Sequence, residues 1–447
     1  MDSSFKRKYL EVKAGTTIFA STGIIGNGHA ERMSTPFFYK AVKGSRIRLL
    51  NLDYYFNVAT YSLRFDDKYI YTYSYKEEES WTSYNNDLGG DSYRQEDYLF
   101  SEDAYFRICL KRIDGKAFTD EEAQNINEIL LFTSKDTEYK EKDYFSDEMK
   151  NTIETILEKR TEKSLTLCLL SDSHYTINGT WEDTIHNIKS VNEKVSFDGI
   201  VHLGDLTDGM VPAEITKKYS QIIINDLKET DVPVYIVNGN HDSNYFNSNP
   251  QPLSKEEEYE LYQKHSDKYV NRNLSDLYYF VDFKDVSLRC IFLESFDYRE
   301  EIRYGFPDEE LIWIKKVLES TPLGYSIIIF SHEAPLSILD YWSDNIRNGN
   351  KLMSILEEYH LHNEQKIMAF IHGHTHADYV YRQRSFPIVS IGCSKCEYFT
   401  DKKPQGSLTY ERALHTVSQE LWDTLIITPS KNKIDFVRFG AGEDRTL

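Results

Sequence analysis

The sequence predicts an α/β domain preceded by a β-rich module, a reading that rests on three observations. From Leu165 onward, short apolar and mostly β-branched runs alternate with segments whose apolar residues recur at helical spacing. Before about residue 134 the runs are short, rich in Tyr and Phe, and separated by turn residues. Five short polar motifs each follow an apolar run, which places them at one edge of the predicted sheet structure.

In the N-terminal module, residues 1–134, strands are expected at Ser45–Leu50, Tyr55–Phe65, Tyr69–Tyr75 and Ala104–Lys111. Turn signals at Lys43-Gly44, Asp66-Asp67, Gly89-Gly90 and Asp114-Gly115 divide them. Short strands at this spacing predict a sandwich or jelly-roll-like domain. Thr119 and Glu122 are spaced as a capping box that starts a brief helix. Residues 135–163 are dense in charge, and Asp147–Arg160 carries Met149, Ile153, Ile156 and Leu157 at helical spacing, read here as a linker helix.

Residues 164–447 form the predicted α/β domain. Leu165–Leu170, Gly199–Leu203, Val232–Val237, Ser326–Phe330 and Lys366–Ile371 read as strands buried on both faces. Trp181–Val195, Ala213–Glu229 and Asp308–Glu319 read as the helices between them. Tyr278–Phe283 with Ser287–Leu293, and Leu421–Thr428 with Lys433–Phe439, read as antiparallel pairs. The arrangement is a mixed α/β sandwich with one active edge.

A formal charge of −20 argues against a duplex nucleic acid partner, which requires clustered Lys and Arg. The five cysteines are expected as reduced core thiols, and Cys393-Ser394-Lys395-Cys396 is an isolated C-x-x-C with no second pair to complete a zinc site. The first residues carry no apolar signal region, and no stretch approaches a membrane span. Cytoplasmic synthesis is expected, with an extracellular or virion-associated protein if the chain is phage-encoded.

The five motifs are Asp172-Ser173-His174, Gly204-Asp205 with Asp208, Gly239-Asn240-His241-Asp242, Ser331-His332, and Gly373-His374-Thr375-His376. Two divalent metals about 3.5–4 Å apart require a bridging carboxylate and separate ligands on either side. Asp172, His174 and His376 suit one metal, Asn240, His332 and His374 the other, and Asp205 the bridge. The imidazole, carboxylate and amide donors suit Mn, Fe, Zn or Co. His202 and His372 lie inside apolar runs and are expected to be core residues. His29, His186, His265, His360, His362 and His415 have no motif around them.

In order and type, these motifs resemble the calcineurin-like metallophosphoesterase superfamily, whose pattern is D-x-H, G-D-x-x-D, G-N-H-D or G-N-H-E, a lone His, and G-H-x-H. The resemblance covers roughly Leu165 to Gly442. It implies a four-layer α/β/β/α sandwich and a phosphate-ester substrate. It also implies a hydroxide between the metals that attacks phosphorus in line. His241 then matches the histidine that helps protonate the leaving oxygen, while Asp208 and Asp242 are candidates to orient His241 or a ligand imidazole.

A phosphodiester is the expected substrate, with phosphomonoesters and nucleotides as alternatives. The aromatic N-terminal module, with Trp81-Thr82-Ser83-Tyr84, suits stacking on sugar rings or packing of its own core. Sugar stacking would make a cell-surface glycan a partner and a phosphodiester such as teichoic acid a substrate. A scaffold protein of a phage tail or cell surface is the alternative of another class.

Overall fold

The computed structural model describes residues 4–19, 25–36, 38–61, 82–85, 97–135, 139–175, 179–209, 213–245, 251–273, 276–340, 342–396 and 407–447. The chain divides into two compact units, Met1–Lys140 and Glu141–Leu447.

The first unit is built from antiparallel sheets. One has the order Lys6–Lys8, Leu130–Ser134, Arg46–Leu49, Asp97–Leu99. The other runs Lys13–Ala14, Arg32–Ser34, Ala104–Arg112, Tyr54–Tyr61, Thr82–Asn85, with Tyr39–Ala41 also paired to Ala104–Arg112. Ile47, Leu49, Phe56, Val58, Phe106, Ile108, Leu130 and Phe132 share one buried core, as the alternation along each strand requires. The capping box forms, with Glu122 N donating to Thr119 Oγ1 and Thr119 N to Glu122 Oε2. The expected strand at Tyr69–Tyr75, the Gly89-Gly90 turn and Trp81 lie outside the described residues.

The second unit holds two six-stranded sheets. In the first, Val234–Ile236, Gly199–His202 and Leu165–Leu170 are parallel, followed by antiparallel Leu421–Thr428, Lys433–Gly440 and Arg445–Thr446. In the second, Leu288–Phe292, Ser326–Ser331, Ile367–His372 and Ile388–Ser390 are parallel, flanked by antiparallel Tyr279–Phe283 and Tyr379–Tyr381.

Alternate residues explain the layers. Leu165, Leu167 and Leu169 pack with Val201, Phe292, Ile328, Phe330 and Ile371 between the sheets. Cys168 and Leu170 point the other way, onto Ile156, Ile185, Ile188 and Ile223 of the helices Ser146–Lys159, Trp181–Val195 and Ala213–Lys228. Ile327, Ile329 and Phe370 pack against Ile314 and Leu318 of Asp308–Glu319 and against Leu352 and Leu356 of Gly349–His362. This is the four-layer α/β/β/α arrangement, and burial on both faces accounts for the continuous apolar runs.

The helix read as a linker belongs to this second unit. Its Ile156 and Thr152 are buried, and Thr152 Oγ1 donates to Arg438 O. The apolar stripe that suggested a helix is there to cover the sheet. The five cysteines are free and buried. Among the described residues no helix is long and apolar enough to cross a membrane.

One buried ion network fastens the two sheets beside the last motif. Arg438, on Lys433–Gly440, is 4% exposed and donates to Asp423 on the neighbouring strand and to Asp378, two residues after His376. Asp378 also accepts from Gly392 N. Replacing Arg438 by Met strands two buried carboxylates beside Arg445 alone. Denaturant unfolding should record a loss of about 3–5 kcal/mol; a loss below about 1 kcal/mol, the range of an exposed pair, would show that the network does not hold the sheets.

Candidate metal centre

Every predicted ligand sits just past the carboxyl end of a parallel strand. The loops beyond those ends keep the pairing of the strands: Asp172 N donates to Gly204 O, His174 N to Asp205 O, and Gly373 N to His332 O. His241 N donates to Asp205 Oδ1 at 2.8 Å. These bonds draw distant motifs into one cluster.

The loops take a backbone that side chains rarely adopt. Asp172, His174, Asp205, His374 and His376 all have positive φ, between 38° and 65°. Each such residue costs about 1–3 kcal/mol and persists only where its surroundings over-determine it. Glycine is required nearby for close approach: a Cβ on Gly373 would strike Ser171 Oγ and Asp172 Oδ2, and one on Gly239 would strike Asp205 Oδ1.

Three groups gather ligand atoms within 4.8 Å of one another: Asp172, His174 and His376; His174, Asp205 and His241; and Asp205, His332 and His374. His174 Nε2 and His376 Nε2 are 3.2 Å apart, with Asp172 Oδ1 3.3 Å from His376 Nε2. His332 Nε2 is 3.2 Å from Asn240 Oδ1 and 3.1 Å from Asp205 Oδ2. Asp205 Oδ2 also faces His174 Nε2 at 3.7 Å and His241 Nε2 at 3.8 Å. The cluster is buried throughout, with Asp172 and His332 fully enclosed.

These residues fit a pair of divalent cations. His332 Nδ1 donates to Leu203 O at 2.6 Å, so in the neutral ring the lone pair of Nε2 points into the cluster, as a ligand requires. His374 Nε2 is buried and makes no hydrogen bond among the described residues. Burial works against charge on Asp205, yet His332 and His241 beside it hold its carboxyl well below the usual range. An anionic oxygen among inward-facing imidazoles is the donor set of a nitrogen- and oxygen-ligated metal.

His241 takes a distinct position. Its Nδ1 donates to Asp208 O at 2.6 Å, and its ring stands edge-on to His174 at 4.6 Å. Burial pushes it down to about 4, so at neutral pH it is uncharged and its Nε2 accepts rather than donates. Asp208 Oδ1 lies 3.3 Å from His174 Nδ1, the place for orienting that imidazole. Asp242 does not orient His241. Its carboxylate accepts from Asp205 N, Leu206 N and Gly239 N, fastening two motif loops to each other. Burial and the nearby Asp205 push Asp242 up to about 7, against the pull of the amides.

His202 and His372 are satisfied core residues: His202 bonds Ser173 Oγ and Gly204 N, and His372 bonds Gly373 O and Tyr379 Oη. Sequence reasoning missed Glu333, Asp340 and Lys395. Glu333 is fully buried beside His332, and burial raises it to about 8. Asp340 Oδ1 is 3.7 Å from His374 Nε2. Lys395 Nζ is 3.4 Å from Asp208 Oδ1. Adjacency to His332 was the one available signal, and it applies to Glu333 alone.

The calcineurin-like phosphoesterase family model matches residues 165–378. A probable glycerophosphodiester phosphodiesterase, GpdQ, of Arcobacter nitrofigilis is 28% identical over 189 residues, or 41% of this chain. The match spans 59% of the length of that relative. Among solved structures, a dimetal phosphatase from Danio rerio is similar at 14% identity and a TM-score of 0.45, over 63% of this chain and 98% of that one. GAP50, the anchor in the inner membrane complex of Plasmodium, is similar at 15% identity and a TM-score of 0.41, over 63% and 90%. The family match covers all five motifs up to Asp378, and the four-layer sandwich brings their side chains together: over residues 165–378 the chain is similar to the calcineurin-like phosphoesterases.

Proposed function

We propose that the chain hydrolyses phosphodiesters with two bound divalent cations. The observation that carries this reading is Asp205 Oδ2, a buried anionic oxygen faced by His332, His174 and His241. Asp172, His174 and His376 would hold one cation, Asn240, His332 and His374 the other, and Asp205 both. When bound, such a pair supplies Lewis acidity at the phosphoryl oxygens and an acidified water as nucleophile. Mn, Fe, Zn and Co all suit these donors.

The chain's own residues supply proton transfer and order. Nε2 of His241, unprotonated at rest, takes up a proton from solvent and gives it to the leaving alkoxide as its bond to phosphorus breaks, while the proton shed by the attacking water passes to solvent. Nδ1 keeps its proton on Asp208 O throughout, which fixes the ring. Asp242 holds Asp205 and Gly239 in register, so that bridge and leaving-group side stay aligned. Phosphodiesters are favoured over monoesters by the kinship with a glycerophosphodiester phosphodiesterase. A glycan phosphodiester would draw its support from the N-terminal unit. There Phe56, Phe100, Phe106 and Phe132 pack inside the core, which favours the packing role for its aromatics.

With added Mn²⁺, bis(p-nitrophenyl) phosphate should be cleaved with higher kcat/KM than p-nitrophenyl phosphate; the reverse order would replace the diester reading by a monoester one. Asn240→Ala should release one cation on metal analysis and lose most of this activity. His241→Ala should keep both cations. It should slow a dialkyl phosphodiester by about 10²-fold or more, the usual contribution of general acid–base catalysis, and slow the nitrophenyl diester far less, since nitrophenolate leaves without a proton. Equal losses on the two diesters would remove His241 from proton transfer.

A further inference from the structure

The segment Cys393–Cys396, an isolated C-x-x-C by sequence, lies against the metal centre. Ser394 N donates to Ser171 O at 2.8 Å and Lys395 N to Asp172 O at 3.3 Å, so the loop runs beside the first motif. Arg412, 6% exposed, clamps it from behind through Cys393 O at 3.0 Å and Ser394 O at 3.4 Å. The clamp holds the two residues that precede Lys395. Its buried ammonium ends 3.4 Å from Asp208 Oδ1, and that same oxygen lies 3.3 Å from His174 Nδ1.

We propose that Lys395 is a positioning residue for the cation held by His174. Its ammonium holds the Asp208 carboxylate against Nδ1 of His174, and the carboxylate fixes the ring so that Nε2 faces the cation. The inference rests on the metal-dependent reading above. Charge compensation explains why the lysine is there: a carboxylate buried to this degree requires a cationic partner close by. Position explains why it acts through Asp208. Lys395 approaches from the Nδ1 side of the ring, whereas Nε2 on the opposite side is the atom 3.2 Å from His376 Nε2 and 3.7 Å from Asp205 Oδ2. The other half of the site is supported differently, since His332 is fixed by the neutral carbonyl of Leu203. Loss of Lys395 therefore falls on one cation of the two.

The test titrates the full-length, metal-stripped chain with Co²⁺, followed by calorimetry and visible absorption. The wild-type chain binds two equivalents. Lys395→Met should keep one site unchanged and weaken the other about 10- to 100-fold, the usual cost of removing a partner behind a ligand. Lys395→Arg, which keeps the charge, should recover most of that loss. Two unchanged sites in folded K395M, or two sites weakened equally, would overturn the proposal. If circular dichroism shows that K395M does not fold, Lys395→Gln carries the same test. A wild-type chain that binds no Co²⁺ overturns the metal reading itself, and the role of Lys395 with it.

Discussion

A single carboxylate oxygen, Asp205 Oδ2, organises the second unit of the chain. It faces three imidazole nitrogens within 4 Å while the residue is 1% exposed. A buried anion is costly unless compensated, and here the compensation comes from chain segments far apart in sequence. The remaining hydrogen-bonding groups of Asp205 are committed as well: Oδ1 accepts from His241 N, and its own N–H donates to Asp242. Asp205 is thus fixed from both sides by the Gly239–Asp242 loop, which explains why a carboxylate at position 242 serves backbone amides rather than the neighbouring ring.

That arrangement depends on two sheets meeting in register. Asp172, Asp205 and Asn240 follow strands of the first sheet, and His332 and His374 follow strands of the second. The apolar layer between the sheets and the Arg438 network beside His376 prevent the two halves from sliding apart. Packing also sustains the strained loops. Five of the seven proposed ligands have positive φ, a conformational cost that the surrounding core and loop hydrogen bonds must offset.

The sequence made long, periodic elements legible. Trp181–Val195 and Asp308–Glu319 have the expected bounds because each presents a full apolar face to a sheet. The helix Gly349–His362 escaped notice although Leu352, Met353 and Leu356 follow helical spacing, since it starts at Asn348-Gly349, a pair that reads as a turn. The strands Tyr379–Tyr381 and Ile388–Ser390 are three residues each, too short for a period to emerge. The ligand motifs were legible because each joins a characteristic pair of residue types to a strand end. Lys395 was not, because its bond to Asp208 spans 187 positions and leaves no mark in local spacing. Asp242 shows a further limit: its motif indicated a place at the site, and only geometry revealed which groups it binds.

The most direct measurement is anomalous diffraction from crystals of the full-length chain soaked in Mn²⁺. The account predicts two peaks about 3.5–4 Å apart. Asp205 should lie between them, with His174 and His376 on one peak and Asn240, His332 and His374 on the other. A single peak, or two peaks that Asp205 does not join, would contradict it.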